Sequence, residues 1–317
     1  KERMNSLSYL NVSYIKRWDI KRRMRKEMWQ WCEKTKGEKV IFFYNFTALT
    51  VLPELKHKFK DVKACLLVTD LPEYMAADNY FLTRLNKKIS SIFSSKDKSH
   101  FDYIDGYVLL APRMSERLPI NGKPWIQMEG IYNPENDQIS VEKAKEKVIL
   151  YTGNLGKRYG ILELLDAFHQ IDNNNYRLWI CGNGDGLNDI KEYEKIDSRI
   201  KYLGLFSRSE VIKLQKQATL LVNPRHSCDE YTIYSFPSKT MEYMASGTPT
   251  LMSHLKSIPN NYDDYLFYFD DERSTFISSN EWRNTYESIS YRKIYSIKEK
   301  TEKSNTGTIS REAWRIQ

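Results

Sequence analysis

Short apolar runs alternate with helix-patterned stretches through the second half of this chain. VILYTG (148–153), YRLWICG (176–182), IKYLGLF (200–206), TLLVNP (219–224) and TPTLMS (248–253) are apolar on both faces of any strand they could form. Strands buried on both sides and joined through helices make a parallel sheet with helices on each face. Helices are expected between them: the amphipathic GILELLDAFHQI, a segment near 187–196, and one starting at Ser207-Arg208-Ser209-Glu210, which has capping-box spacing, and running to about Gln217. YSFPSKTMEYMASGTP (234–249) supplies the helix before the last strand. Five strands so connected form a doubly wound α/β domain.

The first half repeats the theme more weakly: VIFFYNF, a helix near 50–60, ACLLVTD, a helix near 73–95, and YVLLAP. PINGKPWIQMEGIYNPEND, rich in Pro, Gly and Asn, reads as the crossing into a second domain. A chain of 317 residues exceeds one ordinary core, so two domains with a ligand cleft between them are expected. The boundaries are placed at 1–133 and 134–275, with a Ser-, Thr-, Lys- and Asn-rich tail at 276–317 that is expected to be poorly ordered.

Cys32, Cys65, Cys181 and Cys228 show neither CxxC nor paired spacing, which argues against a zinc site or a disulfide framework and for a reducing cytoplasm. No run of about 18 apolar residues and no signal peptide is present. The first residue is Lys rather than Met, which leaves room for a fragment. Residues 1–37 hold eleven basic and four acidic residues, nearly the whole formal net charge of +8, interleaved with Trp18, Trp29 and Trp31. A basic, aromatic-bearing helix at 14–36 suits an anionic membrane surface; the plain alternative is a solvated helix packing its tryptophans on its own domain. No nucleic-acid-binding motif accompanies the charge.

In open parallel sheets the ligand lies beyond the carboxyl ends of the strands, so the loops there carry the chemistry. Gly153-Asn154-Leu155-Gly156-Lys157-Arg158-Tyr159-Gly160 puts glycines and two cations at a helix start, a setting for phosphate. Gly182, in CGNGDG after the second strand, either lets backbone approach a ligand or merely turns. That stretch is not a dinucleotide fingerprint, which belongs after the first strand. Leu205 and Phe206 could wall a flat base or simply pack in the core. Asn223-Pro224-Arg225 ends a strand, and Pro237 suits the first helical position. Ser238 and Lys239 then offer donors to an anion. Glu242, one turn beyond Ser238, could accept hydrogen bonds from a vicinal diol, while Met241, Met244 and Ala245 are expected to face the sheet. A salt-bridged structural glutamate is the plain alternative.

These motifs resemble the donor domain of glycosyltransferase family 4: YTGNLGKRYGILELLDAF, WICGNGDG, YLGLF, LVNPR and SFPSKTMEYMASGTP follow in the family's order over residues 148–252. VTDLPEYM and YVLLAPRM are similar to its acceptor-domain segments. The resemblance is to enzymes that build bacterial exopolysaccharide, capsule or lipopolysaccharide. It implies a GT-B fold, two Rossmann-like domains facing a cleft, and a retaining, metal-independent hexosyltransferase with no cofactor. A nucleotide sugar, UDP-linked, would be the donor and a lipid-linked saccharide the acceptor, met at the inner face of the membrane. The family's ribose-holding glutamate falls on Glu242. Its partner toward the donor sugar falls on Tyr234, and the usual first-loop Arg and Lys fall on Asn154 and Tyr159. The diphosphate must then be met by Lys157, Arg158, Arg225 or Lys239, with Arg158 and Lys239 favoured. Asp70 stands where relatives carry His-Asp and is a candidate for positioning the acceptor. The family's opening strand and glycine-rich loop are not found before the basic helix, so the first domain is expected to lack its N-terminal strands. A UDP-sugar epimerase of the same fold and a non-catalytic nucleotide-sugar-binding subunit are the competing readings.

Overall fold

The computed structural model describes residues 16–44, 46–71, 100–129 and 139–269. The chain divides into two compact units, Lys1–Glu129 and Gly130–Gln317.

In the first unit, helix α1 (Lys16–Lys34) leads into β1 (Lys39–Phe43), a 3-10 turn, α2 (Leu52–Lys58), β2 (Val62–Val68), β3 (Gly106–Leu109) and β4 (Trp125–Gln127). The four strands are parallel in the order β1-β2-β3-β4. Val62, Ala64, Leu66 and Val68 of β2 are buried, as a central strand requires. β4 sits inside the segment read as a mere crossing. Its three residues are too few to show a period, and pairing Tyr107 with Trp125 secures it. The helix expected near 73–95 and the tail at 276–317 lie outside the described residues.

On α1, Asp19 and Cys32 turn inward, yet Trp18 and Trp31 stay 63% and 43% exposed. Arg22 lies 5.6 Å over the Trp18 ring, while Arg25 and Lys58 bracket Trp29 at 5.4 and 4.2 Å. Two of the three tryptophans therefore keep much of their surface in solvent, more than the plain alternative for that helix expects. Among the described residues, no helix is long and apolar enough to cross a membrane.

The second unit carries β5 (Lys147–Asn154), α3 (Ile161–His169), β6 (Tyr176–Asn183), α4 (Leu187–Ile196), β7 (Ile200–Gly204), α5 (Arg208–Gln217) and β8 (Leu220–Asn223). The short α6 (Glu230–Ile233), α7 (Ser238–Ser246), β9 (Thr250–Ser253) and β10 (Phe267–Phe269) complete it. All six strands are parallel in the order β10-β9-β8-β5-β6-β7. The reading of five strands missed β10, again only three residues long. Ile149 and Tyr151 of β5 face one core with Leu164, Leu165 and Phe168 of α3. Val148 and Leu150 face the other, with Leu221 and Tyr243. That two-sided burial explains the unbroken apolar run. Ser207 caps α5 with the expected box, its hydroxyl accepting from the Glu210 N–H while the Glu210 carboxylate takes the Ser207 N–H.

Successive strands run outward from β5 through β6 to β7, then the chain crosses back to start β8 on the other side of β5. This puts the topological switch point between β5 and β8, at the carboxyl end of the sheet, which is where open α/β sheets bind their ligands.

Candidate functional site

Three segments meet at that switch point. The loop after β5 begins at Gly153, whose φ of +125° is a left-handed conformation that favours glycine. The Tyr151 hydroxyl donates to the Asn154 carbonyl at 2.6 Å, and the Asn154 side chain accepts from the Gly156 N–H at 2.8 Å, so the loop is shaped from within. Gly160 starts α3 at φ +80°, and a Cβ there would strike the Pro224 carbonyl, which brings the β8 loop hard against the β5 loop. In the β8 loop, Asn223 is buried and donates to Thr240 of α7, and Ser253 donates to the Arg225 carbonyl.

Around this contact the cations gather on aromatic rings. Arg158 lies 4.7 Å from the Tyr159 ring centroid and 5.4 Å from that of Tyr231; Arg225 lies 5.8 and 4.4 Å from the same two. Arg225 also donates to the Tyr231 hydroxyl at 3.2 Å. Lys239, second residue of α7, reaches under the β5 loop, where its ammonium sits 4.0 Å from the centroid of Tyr151 and fills the space a Cβ on Gly153 would need. The residue keeps some exposed surface, but its ammonium end is desolvated, and that burial is the main cause pulling its pKa down to about 7. Glu242 works against the fall and the Arg225 charge adds to it. Neither Arg225 nor Lys239 has a carboxylate within ion-pair distance among the described residues.

Glu242 stands one turn further along α7. One of its oxygens accepts from Gln215 Nε2, and the same amide reaches Thr152 Oγ1 at 3.3 Å. Gln215 is fully buried, with its backbone carbonyl held by the Thr248 hydroxyl. Glu242 is thus anchored through one oxygen, and its other oxygen carries no hydrogen bond among the described residues.

The remaining expected residues are distributed less uniformly. Ser238 opens α7 and is exposed, but Pro237 is its N-cap rather than its first helical residue. The inward face of α7 is Thr240, Tyr243 and Met244; Met241 and Ala245 are only half-buried, because the Tyr243 hydroxyl bonds to Thr152 and draws that face onto the sheet. Lys157 pairs with Asp189 at 2.8 Å, and its N–H bonds to Asp185, so its charge is turned toward α4. Gly182 abuts β5 rather than open space: a Cβ there would collide with the Gly153 carbonyl. The CGNGDG loop braces the β5 loop, with Leu155 N bonding to the Asn183 carbonyl and Gly186 N to the Leu155 carbonyl. Leu205 and Phe206 follow β7 and are 71% and 40% exposed, so they do not pack in the core. Tyr234 is 7% exposed at the end of α6. Asp70 is exposed just after β2 in the other unit. No group of three His, Cys, Asp or Glu that could hold a metal ion occurs among the described residues.

Tyr151, Tyr231 and Gln215 were not anticipated. Tyr151 reads as one more apolar strand residue, and Gln215 as a solvated helix position. Nothing local to either reveals its partner, which lies 88 residues on in sequence for Tyr151 (Lys239) and 27 for Gln215 (Glu242).

Comparison with known proteins bears on the fold. The chain is similar in structure to sucrose-phosphate synthase from Thermosynechococcus elongatus, with a TM-score of 0.65 and 14% identity over 95% of this chain and 77% of that one. It is similar to the lipopolysaccharide outer core galactosyltransferase WaaB, with a TM-score of 0.58 and 14% identity over 92% and 78%. It also resembles Anabaena HepE, solved in complex with UDP, with a TM-score of 0.59 and 13% identity over 93% and 84%. At such identities the likeness is one of fold, GT-B with Rossmann-like parallel sheets. No curated protein matches the sequence. Residues 133–265, which take in β5 through β9, match the family model of glycosyl transferases group 1. That match falls on the second unit and takes in the loops described above.

Proposed function

We propose that this chain is a retaining hexosyltransferase that moves a sugar from a UDP-linked donor to a lipid-linked saccharide in bacterial surface polysaccharide synthesis. The observation that carries the reading is at the head of α7. Lys239 lies close enough to Arg225 for the two charges to repel, without a carboxylate pair, and Glu242 follows one turn later with an oxygen to offer. Two cations suit a diphosphate, and a carboxylate one turn on suits the ribose diol. As the glycosidic bond breaks, negative charge grows on the leaving diphosphate, and pre-placed cations stabilise that charge more than they stabilise the bound ground state. Lys239, Arg225, Arg158 and the exposed Ser238 at the head of α7 would supply that charge and its hydrogen bonds from the protein itself, which supports metal independence.

Leu205 and Phe206, left exposed after β7, offer apolar surface to the uracil. Gly153 and Asn154 shape the loop over the diphosphate, Tyr234 is proposed to meet the donor sugar, and Asp70 the acceptor. The UDP in the HepE structure and the polysaccharide named for WaaB support the donor and acceptor classes. The exposed tryptophans and cations of α1 support docking on an anionic inner membrane face. The test is calorimetric titration of the full chain with UDP, with and without a metal chelator, followed by turnover of UDP-sugars with and without a lipid-linked acceptor. Binding unaffected by chelation and turnover only with acceptor support the proposal. Turnover without acceptor would favour the epimerase, and absence of UDP binding at millimolar concentration would overturn the assignment.

A further inference from the structure

The expected first-loop arginine is Asn154 in this chain, and the strand residue three positions earlier is a buried tyrosine whose ring carries the Lys239 ammonium at 4.0 Å. Tyr151 is 1% exposed, its edges are packed in the α3-side core, and its hydroxyl is tied to the Asn154 carbonyl. The ring is therefore fixed from both ends. A carboxylate in its place would hold a lysine equally well but would neutralise it and repel an incoming phosphate. An aromatic face attracts the ammonium through its quadrupole and leaves the other N–H donors free for an anion. The nearest carboxylate, Glu242, is held back by Gln215.

We infer that Tyr151 is a positioning residue for nucleotide binding, an aromatic seat that holds Lys239 against the β5 loop ready for the donor diphosphate. The inference rests on the reading of Lys239 as a diphosphate ligand. The groups facing that ammonium are Glu242 on its own helix, Arg225 from the β8 loop, Cys181 from β6 and Tyr151 from β5. Of these only Tyr151 can hold a charged lysine in place without consuming its charge, since Arg225 repels it and Glu242 is not within ion-pair distance.

The test is a double-mutant cycle on UDP affinity in the full chain, using Tyr151→Phe, Tyr151→Leu, Lys239→Met and the Tyr151→Leu/Lys239→Met double variant. Tyr151→Phe keeps the ring and should bind UDP within about threefold of the parent, whereas Tyr151→Leu should weaken it by about tenfold or more. In the Lys239→Met background, Tyr151→Leu should cost nothing further. Equal losses in both backgrounds would mark a merely structural role and overturn the inference, as would parent-like binding by Tyr151→Leu. Should the leucine variant fail to fold, pentafluorophenylalanine at position 151 keeps the ring's shape and reverses its quadrupole. Weaker binding than Tyr151→Phe then supports the seat, and equal binding refutes it. A parent that binds no UDP would instead refute the diphosphate site itself, a separate outcome visible before any variant is made.

Discussion

Replacing Lys239 by Met should make the free protein more stable while weakening its nucleotide binding. The unfolded lysine titrates near 10.5 and the folded one near 7, so between those values the unfolded state binds more protons, and stability rises with pH. The cost of burying the charge is thus fully present below pH 7 and fades as the pH climbs toward 10.5. Its upper limit is about 5 kcal/mol at pH 6 and about 2 kcal/mol at pH 9, taking 1.36 kcal/mol per pKa unit. Solvent penetration and relaxation reduce both, so the gain from Lys239→Met should be about 1–2 kcal/mol larger at pH 6 than at pH 9. For a chain of 317 residues that is a difference of about 1.5–3 °C in the Tm advantage. Thermal melts of parent and variant at the two pH values measure it, and repeating them with UDP shows by how much ligand stabilisation has fallen. A Tm difference that does not change with pH, or a variant less stable than the parent at pH 6, would refute the reasoning.

Glu242→Ala should weaken UDP binding by about 1.5–3 kcal/mol by calorimetry and leave the fold intact; loss of folding would favour a structural role tied to Gln215. Gly182→Ala should destabilise the second unit by more than about 2 kcal/mol in urea melts, since a Cβ at φ +143° meets the Gly153 carbonyl. Unchanged stability would mean that the β5 and β6 ends are looser than described. The chain should sediment with anionic vesicles in a salt-sensitive way, and replacing Arg22, Arg23, Arg25 and Lys26 by Gln should abolish this without altering UDP affinity. A parent that ignores anionic vesicles at low salt would leave α1 a solvated face.

The strands of the second sheet were readable because each of five is apolar on both faces, the pattern that burial between two helical layers demands. β4 and β10 were not, because three residues carry no period and hold their places only through pairing. The helix start at Arg208 was legible from its capping box, and proline marked the start of α7 to within one residue, as the N-cap rather than the first helical position. The inward face of α7 was misjudged because hydrophobicity ranks Met241 above Tyr243, whereas the buried hydroxyl of Tyr243 finds Thr152 and so packs at no polar cost. The cations were legible as a group but not individually. Lys157 and Arg158 are neighbours in sequence, yet one is paired with Asp189 and the other lies on tyrosine rings, a division set by partners distant along the chain. Tyr151 was hidden for the same reason, since nothing in a strand pattern says which side chain will lie across its ring.

The most direct test of the diphosphate site is UDP calorimetry from pH 7.5 to 9.5, repeated in buffers of different ionisation enthalpy. UDP's own terminal phosphate titrates near 6, below that window. If Lys239 must be charged to hold the diphosphate, binding will take up protons, approaching one per UDP as the pH rises. The affinity will fall by up to about tenfold per pH unit, with Lys239→Met showing neither effect. UDP binding with no proton uptake and a flat pH profile would contradict the account.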